Sequence, residues 1–439
     1  MHPTARWMLF VFFTLLFIIG APSLVLYTAG YRFNFQNGSF LRTGVLSVGT
    51  TPRGAMVTLN GTVSTDTTPS VIKQLLPGSY DLLLTREGYH PWEETMLITS
   101  GETTLFANIL LFLDAHPSIL ATASSIASTI PSPNGAATVY ITREKTGTET
   151  WLLDPTGSTI LLERLTGTAL PTVSWSADSA SIAFFNPDQN TVAVFSADGS
   201  PLAIPPSAEP TTHLFWAPGS DDLLVRTSTT QTEVIDAQNG TSQIIGNANT
   251  IPLDASLLTF RSQNNATEMH LQDQTGDRLI ALLPASSYII RDRSYSLLLL
   301  EGNDKTLVLL DIRSSDPVLF KQKGALVHWN KTANLLAVSD GYEVNLYDTE
   351  TRQMEFLTRQ GTPIVALAVH PSGHTILLAT ATQLFAMTRE TIEDIHPTTT
   401  LLTTTDAMER LWISENGKTA FFEAATLTDH TISSLELTK

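Results

Sequence analysis

Three patterns of hydrophobic and polar residues divide this chain. The first is an apolar run that begins at Trp7 and carries no charged residue until Arg32. About twenty apolar residues cross a bilayer as a helix, so the run predicts a transmembrane helix within residues 1–31. Trp7 at one end, and Tyr27 and Tyr31 at the other, lie where aromatic side chains favour the membrane interface.

The apolar run fits either an uncleaved signal anchor or a cleaved signal peptide. A signal peptide would be cut near "FIIGAPS", but no A-x-A site follows and the run continues past Gly20. We therefore predict an uncleaved, single-pass anchor in the cell membrane, which Pro22 bends but does not interrupt. Arg6 before the span places the N-terminus in the cytoplasm and the later domains outside it.

The second pattern is strict alternation punctuated by turn residues. Residues 32–42 predict a short juxtamembrane hairpin that turns at Asn37-Gly38. Beyond it, Ala55, Val57 and Leu59 face one side of a strand that Asn60-Gly61 closes into a second hairpin.

The alternation continues to residue 113, with turn residues between the apolar segments. Pro77-Gly78, Glu87-Gly88 and Ser100-Gly101 are predicted turns, and Tyr80, Leu82 and Leu84 share one face of a strand. Residues 43–113 therefore predict a small all-β sandwich of about seventy residues, near the lower size at which a hydrophobic core suffices.

This segment resembles the PEGA domain family, a small β-sandwich of envelope proteins that occurs beside other extracytoplasmic modules. The name motif falls on Pro52-Arg53-Gly54-Ala55, where Arg53 departs from the usual Glu, and the Gly usually found shortly before Thr68-Pro69 is missing. The matching structural landmarks are Pro52, Gly54, Ala55, Pro77, Gly78, Gly88, Tyr89 and Trp92. Tyr89 and Trp92 are predicted to cap the sandwich, with sugar binding as the alternative.

The third pattern is a repeat of about forty residues from Ala115 onward. The units align on one position, and an apolar residue follows seven positions after the anchor at Ile182, Leu223, Leu336 and Ile376. Each unit contains strand, turn, strand, turn and strand, which is typical of a β-propeller blade. The anchors are Trp175, Trp216, Trp329, Val369 and Trp412.

The repeat predicts one propeller over residues 115–439, with eight blades favoured and seven as the alternative. The segment "HPSILATAS" before the first unit is predicted to supply the missing strand of the last blade and close the ring. Turns such as "SPNG" resemble those of TolB-like and WD-like propellers, and the absence of the Trp-Asp and Gly-His pairs favours the TolB-like group. The tryptophans at Trp175, Trp216, Trp329 and Trp412 are predicted to pack blades rather than form a ligand box.

The composition of the chain excludes several kinds of ligand and site. The net charge of -17, from 42 acidic and 25 basic residues, disfavours nucleic acid and other anionic ligands. With 0 cysteines there is no disulfide, thiolate metal site or cysteine nucleophile. No hydrolase, phosphate-binding or zinc-protease motif is present, and His370 and His374 in "HPSGH" fit turn residues better than metal ligands. We predict no catalytic set, no metal and no cofactor.

The fold class is therefore all-β: an N-terminal transmembrane helix, a PEGA-like sandwich and a C-terminal propeller. The predicted function is that of a membrane-anchored, extracytoplasmic binding or scaffold protein of the cell envelope, whose propeller engages a protein, peptide or glycan. Two alternatives stay open. One is an envelope enzyme, a lyase or glycan hydrolase, that uses the propeller channel, and the other is a purely structural envelope component.

Overall fold

The structure is a computed structural model. It divides the chain into two compact units: Met1–Ala115 with Met387–Leu401, and His116–Ala386 with Leu402–Lys439. The described residues are 3–34, 38–248, 250–263, 265–324, 326–391 and 396–439.

The first element is a helix, α1, which spans Pro3–Thr28 and contains Pro22. Its stretch Trp7–Thr28 has 22 residues and a mean hydropathy of 2.5, long and apolar enough to cross a bilayer. The Arg32 guanidinium lies 3.7 Å from the centre of the Tyr27 ring and donates to the Tyr27 carbonyl at 3.0 Å. A cation at this end is favourable because the last helical carbonyls carry partial negative charge.

A short hairpin follows the helix. Strand β1 (Tyr31–Asn34) pairs antiparallel with β2 (Ser39–Arg42). The two strands fall on the segment predicted as a hairpin, and Asn37 of the predicted turn lies outside the described residues. The position of this hairpin beside a membrane stays a prediction.

Seven strands then form a sandwich of two sheets. One sheet has the order β5-β4-β7-β8; the other has the order β6-β3-β9, in which β3 runs parallel to β9. The strands are β3 (Gly44–Thr51), β4 (Met56–Leu59), β5 (Thr62–Thr67), β6 (Ser70–Leu75), β7 (Gly78–Thr85), β8 (Trp92–Ile98) and β9 (Thr103–Leu110).

Alternation along these strands builds the sandwich core. Ala55 and Val57 are fully buried while Met56 between them is exposed, as the period of two predicts. Asn60 and Gly61 have φ of 45° and 76°, the left-handed pair that a type I′ hairpin turn requires. The predicted sandwich and its turns are confirmed.

The rest of the chain forms a β-propeller. Its described residues contain eight sheets of four antiparallel strands, and every unit of the sequence repeat falls on one sheet. In chain order the strands of the first four sheets are β11 (Ile126–Pro131), β12 (Thr138–Glu144), β13 (Gly147–Leu153) and β14 (Thr159–Thr166); β15 (Thr172–Trp175), β16 (Ser181–Asn186), β17 (Thr191–Ser196) and β18 (Pro201–Leu202); β19 (His213–Trp216), β20 (Leu223–Thr227), β21 (Gln231–Asp236) and β22 (Ser242–Asn247); and β23 (Thr250–Leu253), β24 (Ser256–Gln263), β25 (Ala266–Asp273) and β26 (Gly276–Pro284).

The next three sheets have the same order of strands, and the eighth is assembled from both ends of the propeller sequence. The strands are β27 (Tyr288–Ser294), β28 (Leu297–Gly302), β29 (Thr306–Asp311) and β30 (Val318–Lys323); β31 (Leu326–Asn330), β32 (Leu335–Ser339), β33 (Glu343–Asp348) and β34 (Gln353–Arg359); β35 (Ile364–Val369), β36 (Thr375–Thr380), β37 (Gln383–Thr388) and β38 (Thr398–Thr403); and β39 (Ala407–Ile413), β40 (Thr419–Ala425), β41 (His430–Glu436) and β10 (Ser118–Ala123).

Strand β10 closes the ring. It lies beside β41 as the fourth strand of the eighth sheet, with Thr122 opposite Thr431 and Ala123 opposite His430. The prediction that "HPSILATAS" supplies this strand is confirmed. The seam between the eighth and first sheets is filled by a buried cluster of Ile126, Tyr140, Leu153, Trp412, Phe421 and Ile432.

The repeat anchors lie at the end of the first strand of their sheets. The apolar residue seven positions after the anchor is its pairing partner in three units: Trp175 with Ile182, Trp329 with Leu336 and Val369 with Ile376. The third unit differs in its pairing. Trp216 is paired with Leu224, because the turn after it holds one more residue, and Leu224 is fully buried while Leu223 is exposed.

Candidate functional site

The Pro52–Ala55 turn of the sandwich is tied to Thr68 by the backbone. The Gly54 N–H donates to the Thr68 carbonyl at 2.7 Å, and the Ala55 N–H donates to the Thr68 hydroxyl oxygen at 2.9 Å. Gly54 has φ of +88°, a conformation that residues with a Cβ rarely adopt. The turn therefore has a backbone role in the folded sandwich.

The later landmarks also lie at turns or in the core. Pro77 precedes β7, which begins at Gly78, and Gly88 occupies a turn with φ of +77°. Tyr89 and Trp92 are both buried in the sandwich core. A sugar would need an exposed ring face for stacking, so this burial favours the packing role over sugar binding.

The anchor tryptophans link neighbouring propeller sheets. The Trp175 indole N–H donates to the Ile130 carbonyl of the preceding sheet at 3.0 Å, and the Trp216 indole N–H donates to the Ser174 carbonyl at 3.2 Å. The Trp412 ring stacks on Phe421 with 5.8 Å between centroids. Trp329 is half-buried in β31. These contacts support blade packing rather than a shared ligand box.

Each propeller sheet has a first-turn end, where its first and second strands are joined, and a second-turn end, where its second and third strands are joined. At the first-turn end, polar contacts link every sheet to at least one other. They are Asn134–Ser179, Ala177–Ser220, Pro218–Arg293, Asp254–Arg293, Asp292–Lys331, Asn330–Val369, His370–Gly417 and Asn134–Glu415.

His370 belongs to these first-turn contacts. Its Nε2 lies 3.1 Å from the Gly417 carbonyl and its Nδ1 lies 2.8 Å from the Ser372 hydroxyl. Burial lowers the pKa of His370 below its ordinary value, and His374 contributes to the same direction. Both ring nitrogens of His370 are occupied, so a turn role is favoured over metal ligation.

Titratable groups converge at the second-turn end of the eighth sheet. Together with the Thr129 hydroxyl, we call these groups the Glu423 cluster: Thr129, Glu409, Arg410, Glu423 and His430. The His430 Nδ1 lies 3.6 Å from Glu423 Oε1 and 3.8 Å from Glu409 Oε2. The Thr129 hydroxyl donates to Glu423 Oε2 at 2.5 Å. Four strands, β11, β39, β40 and β41, supply these five residues across the seam that closes the ring.

Glu423 is the buried centre of the cluster, with a side chain that is only 2% exposed. A buried carboxylate needs charge or hydrogen-bond compensation. Its nearest guanidinium atom, Arg410 Nε, is 3.8 Å away, and Arg410 Nη1 is committed to the Thr129 carbonyl at 2.7 Å. The compensation by Arg410 is therefore a charge interaction without a close hydrogen bond.

Sequence reasoning missed the Glu423 cluster. Glu409, Glu423 and His430 are not neighbours in the sequence, and only the register of three strands brings them together. One local signal was present: "TAFFEAA" places Glu423 inside an otherwise apolar strand, where a charge is rarely tolerated without a partner.

A family model matches the sandwich segment of the chain. Residues 43–110 match the model of the PEGA domain family, which confirms the resemblance noted for the sandwich. No curated protein sequence matches the chain.

Solved structures that are similar to the chain include the following three. The C-terminal WD40 domain of Sif2 is 14% identical, with a TM-score of 0.48, and the match covers 73% of this chain and 98% of that one. The Myceliophteria thermophila Cps50 (Swd1) β-propeller domain is 11% identical with a TM-score of 0.43, covering 73% and 100%. A chain of the mitotic checkpoint complex is 13% identical with a TM-score of 0.41, covering 73% and 95%. The strand pairing of this chain itself shows the propeller fold.

Proposed function

We propose that this protein is a membrane-anchored binding scaffold of the cell envelope. Helix α1 is the anchor, the sandwich is an extracytoplasmic stalk, and the propeller of residues 115–439 is the head that engages a protein, peptide or neutral glycan. The acidic net charge of -17 supports such partners over nucleic acid or other anions.

The observation that carries the binding role is a long loop held rigid at the second-turn end of the propeller. It joins β18 to β19. The Arg226 guanidinium, 2% exposed, donates to the Pro205 carbonyl at 2.8 Å and the Pro206 carbonyl at 3.3 Å. Arg226 also pairs with Glu233 at 2.6 Å. A loop ordered before binding avoids the entropy cost of ordering it on contact.

The same loop is fixed at a second point. The Glu209 carboxylate accepts hydrogen bonds from the Ser228 hydroxyl at 2.5 Å and from the Thr230 hydroxyl at 2.7 Å. These bonds hold the pKa of Glu209 below its usual range, the Ser228 bond most strongly. We therefore assign partner binding to the second-turn end.

Site-specific photocrosslinking in intact cells tests this assignment. Tyr342 lies in the turn between β32 and β33, at the second-turn end, and Tyr295 lies between β27 and β28, at the first-turn end; both are exposed. A photoreactive phenylalanine at Tyr342 should give a discrete adduct and the same group at Tyr295 should give none. Adducts at neither position, or the same smear at both, would count against a binding head with a defined face.

The enzyme alternative rests on the carboxylates of the Glu423 cluster. A catalytic acid or base must reach its substrate. Glu423 is buried and hydrogen-bonded to Thr129, which leaves Glu409 as the exposed carboxylate of the pair. This arrangement supports a non-catalytic role. Turnover of a glycan or peptide by the purified protein, lost in Glu409→Gln, would favour the enzyme instead.

A further inference from the structure

We propose that Glu409, Glu423 and His430 form a binding site for a divalent transition-metal cation at the seam of the propeller. Their three donor atoms all lie within 4.8 Å of one another. Two carboxylate oxygens and one imidazole nitrogen are a donor set that Zn²⁺, Mn²⁺ and related cations accept. The site is independent of which partner the head engages.

The His430 imidazole distinguishes this site from an ordinary cluster of acidic residues. His430 Nδ1 is buried and has no hydrogen-bond partner. It nevertheless faces two carboxylate oxygens, at 3.6 Å from Glu423 and 3.8 Å from Glu409. Both separations are too long for hydrogen bonds. A buried ring nitrogen that faces carboxylate oxygens needs a positive charge between itself and those oxygens. That charge is either a proton, which would draw the groups closer together, or a metal ion.

The separations suit a shared metal ion. Two ligands at about 2.1 Å from one tetrahedral cation are about 3.4 Å apart. The His430–Glu423 distance of 3.6 Å and the His430–Glu409 distance of 3.8 Å are close to that value. The two carboxylate oxygens lie within 4.8 Å of each other. Movement of the exposed Glu409 side chain toward Glu423 would complete three ligands, and solvent at Glu409 would supply the fourth.

Charge also favours a cation. Glu409 and Glu423 contribute two negative charges. Arg410 contributes one positive charge, with its Nε 3.8 Å from Glu423 Oε2. An imidazole that ligates a metal is neutral and adds no charge, so these groups present a net negative charge to a bound cation. The Thr129 hydroxyl holds the other oxygen of Glu423 and orients it, as a supporting hydrogen bond does around metal ligands.

The imidazole also discriminates between cations. Mg²⁺ and Ca²⁺ prefer oxygen ligands alone, whereas Zn²⁺ and Mn²⁺ accept imidazole. Because the ligands come from β39, β40 and β41, and β41 is paired with the closing strand β10, bound metal would strengthen the sheet that closes the ring. Ligands that bind only the folded state stabilise it.

The test is metal titration of the full-length protein in detergent, followed by calorimetry and by the visible spectrum of Co²⁺ as a zinc substitute. We expect one equivalent of Zn²⁺ or Mn²⁺ to bind, with Mg²⁺ and Ca²⁺ unable to compete at similar concentrations. Glu409→Gln and His430→Gln should each weaken binding at least about tenfold and change the Co²⁺ spectrum. Glu409 is exposed, so its variant should fold normally.

Glu436→Gln and His116→Gln are the matched controls, since both residues are exposed and lie outside the cluster. The controls should bind as the unmodified chain does. The site would be refuted by the absence of stoichiometric binding, by binding that neither cluster variant weakens, or by a loss in one cluster variant without the other. The last result would indicate an ordinary His430 ion pair or adventitious metal on a surface histidine.

Discussion

Replacing Ile432 by alanine tests whether the ring is closed at its seam. Ile432 is fully buried in β41, where it is paired with Ala121 of the closing strand and packs in the cluster that joins the eighth and first sheets. The change removes three carbons, worth about 2.4 kcal/mol at about 0.8 kcal/mol per buried carbon. The residual cavity adds to this, so we expect a total loss of about 3–4 kcal/mol.

Ile235 provides the matched control. It is also fully buried, in β21, the third strand of a sheet far from the seam in the order of the ring. Because Ile235→Ala removes the same atoms from an equivalent position, it should cost about the same, about 3–4 kcal/mol. Ile432→Val should cost about 1 kcal/mol.

Urea unfolding of the chain from residue 32 onward, followed by tryptophan fluorescence, gives the change in midpoint for the propeller transition. If β10 were detached in solution, one side of Ile432 would face water. Its replacement would then cost less than about 1.5 kcal/mol while Ile235→Ala kept its full effect. A clearly smaller loss of stability for Ile432→Ala than for Ile235→Ala would refute the closed seam.

Three further predictions concern single features of the two units. Gly88→Ala should destabilise the sandwich by about 1–2 kcal/mol, because φ is +77° there; an unchanged melting temperature would contradict it. Burial lowers the pKa of His328 from 6.5 to about 4, so the unfolded chain binds a proton that the folded chain does not. Stability should therefore fall as pH drops from about 6.5 to about 4, by up to about 3 kcal/mol, and His328→Asn should flatten that slope in urea titrations. Paired cysteines at Thr122 and Thr431 should oxidise to a disulfide, since opposed strand residues lie within bonding range, whereas cysteines at Thr122 and Ser434 should not.

The sandwich was predictable because its signals are local. Asn60-Gly61 dictates a turn by its own backbone preferences, and the alternation of Ala55, Met56 and Val57 dictates which face is buried. Such signals act over a few residues, so they can be recognised in the sequence without knowing which strand pairs with which. The PEGA match over residues 43–110 agrees with them.

The propeller was predictable as a repeat but not in every register. The spacing of seven residues after the anchor reaches Leu223, but the turn after Trp216 is longer by one residue, so Leu224 is the residue paired with Trp216. A one-residue slip exchanges the two faces of a strand, and spacing alone does not reveal it. The closing strand could be predicted, since a sheet of three strands leaves an open edge that the preceding segment can fill.

The Glu423 cluster lay beyond sequence reasoning. Its members meet because β39, β40 and β41 are in register and because Thr129 of the first sheet crosses the seam. No spacing in the sequence encodes that meeting, which depends on the closure of the whole ring. The TolB-like relationship and the boundaries at residues 113 and 115 stay predictions.

We propose that α1 anchors the propeller head outside the cytoplasm, and cysteine labelling tests this topology directly. The chain has 0 cysteines, so a single introduced cysteine is labelled without background. Leu427 is fully exposed in the turn between β40 and β41, and Thr4 precedes the apolar stretch of α1. Treating intact cells with a membrane-impermeant maleimide should label Leu427→Cys in the membrane fraction, and Thr4→Cys only after lysis. Labelling of Leu427→Cys only after lysis would show that the propeller lies in the cytoplasm and would refute this topology.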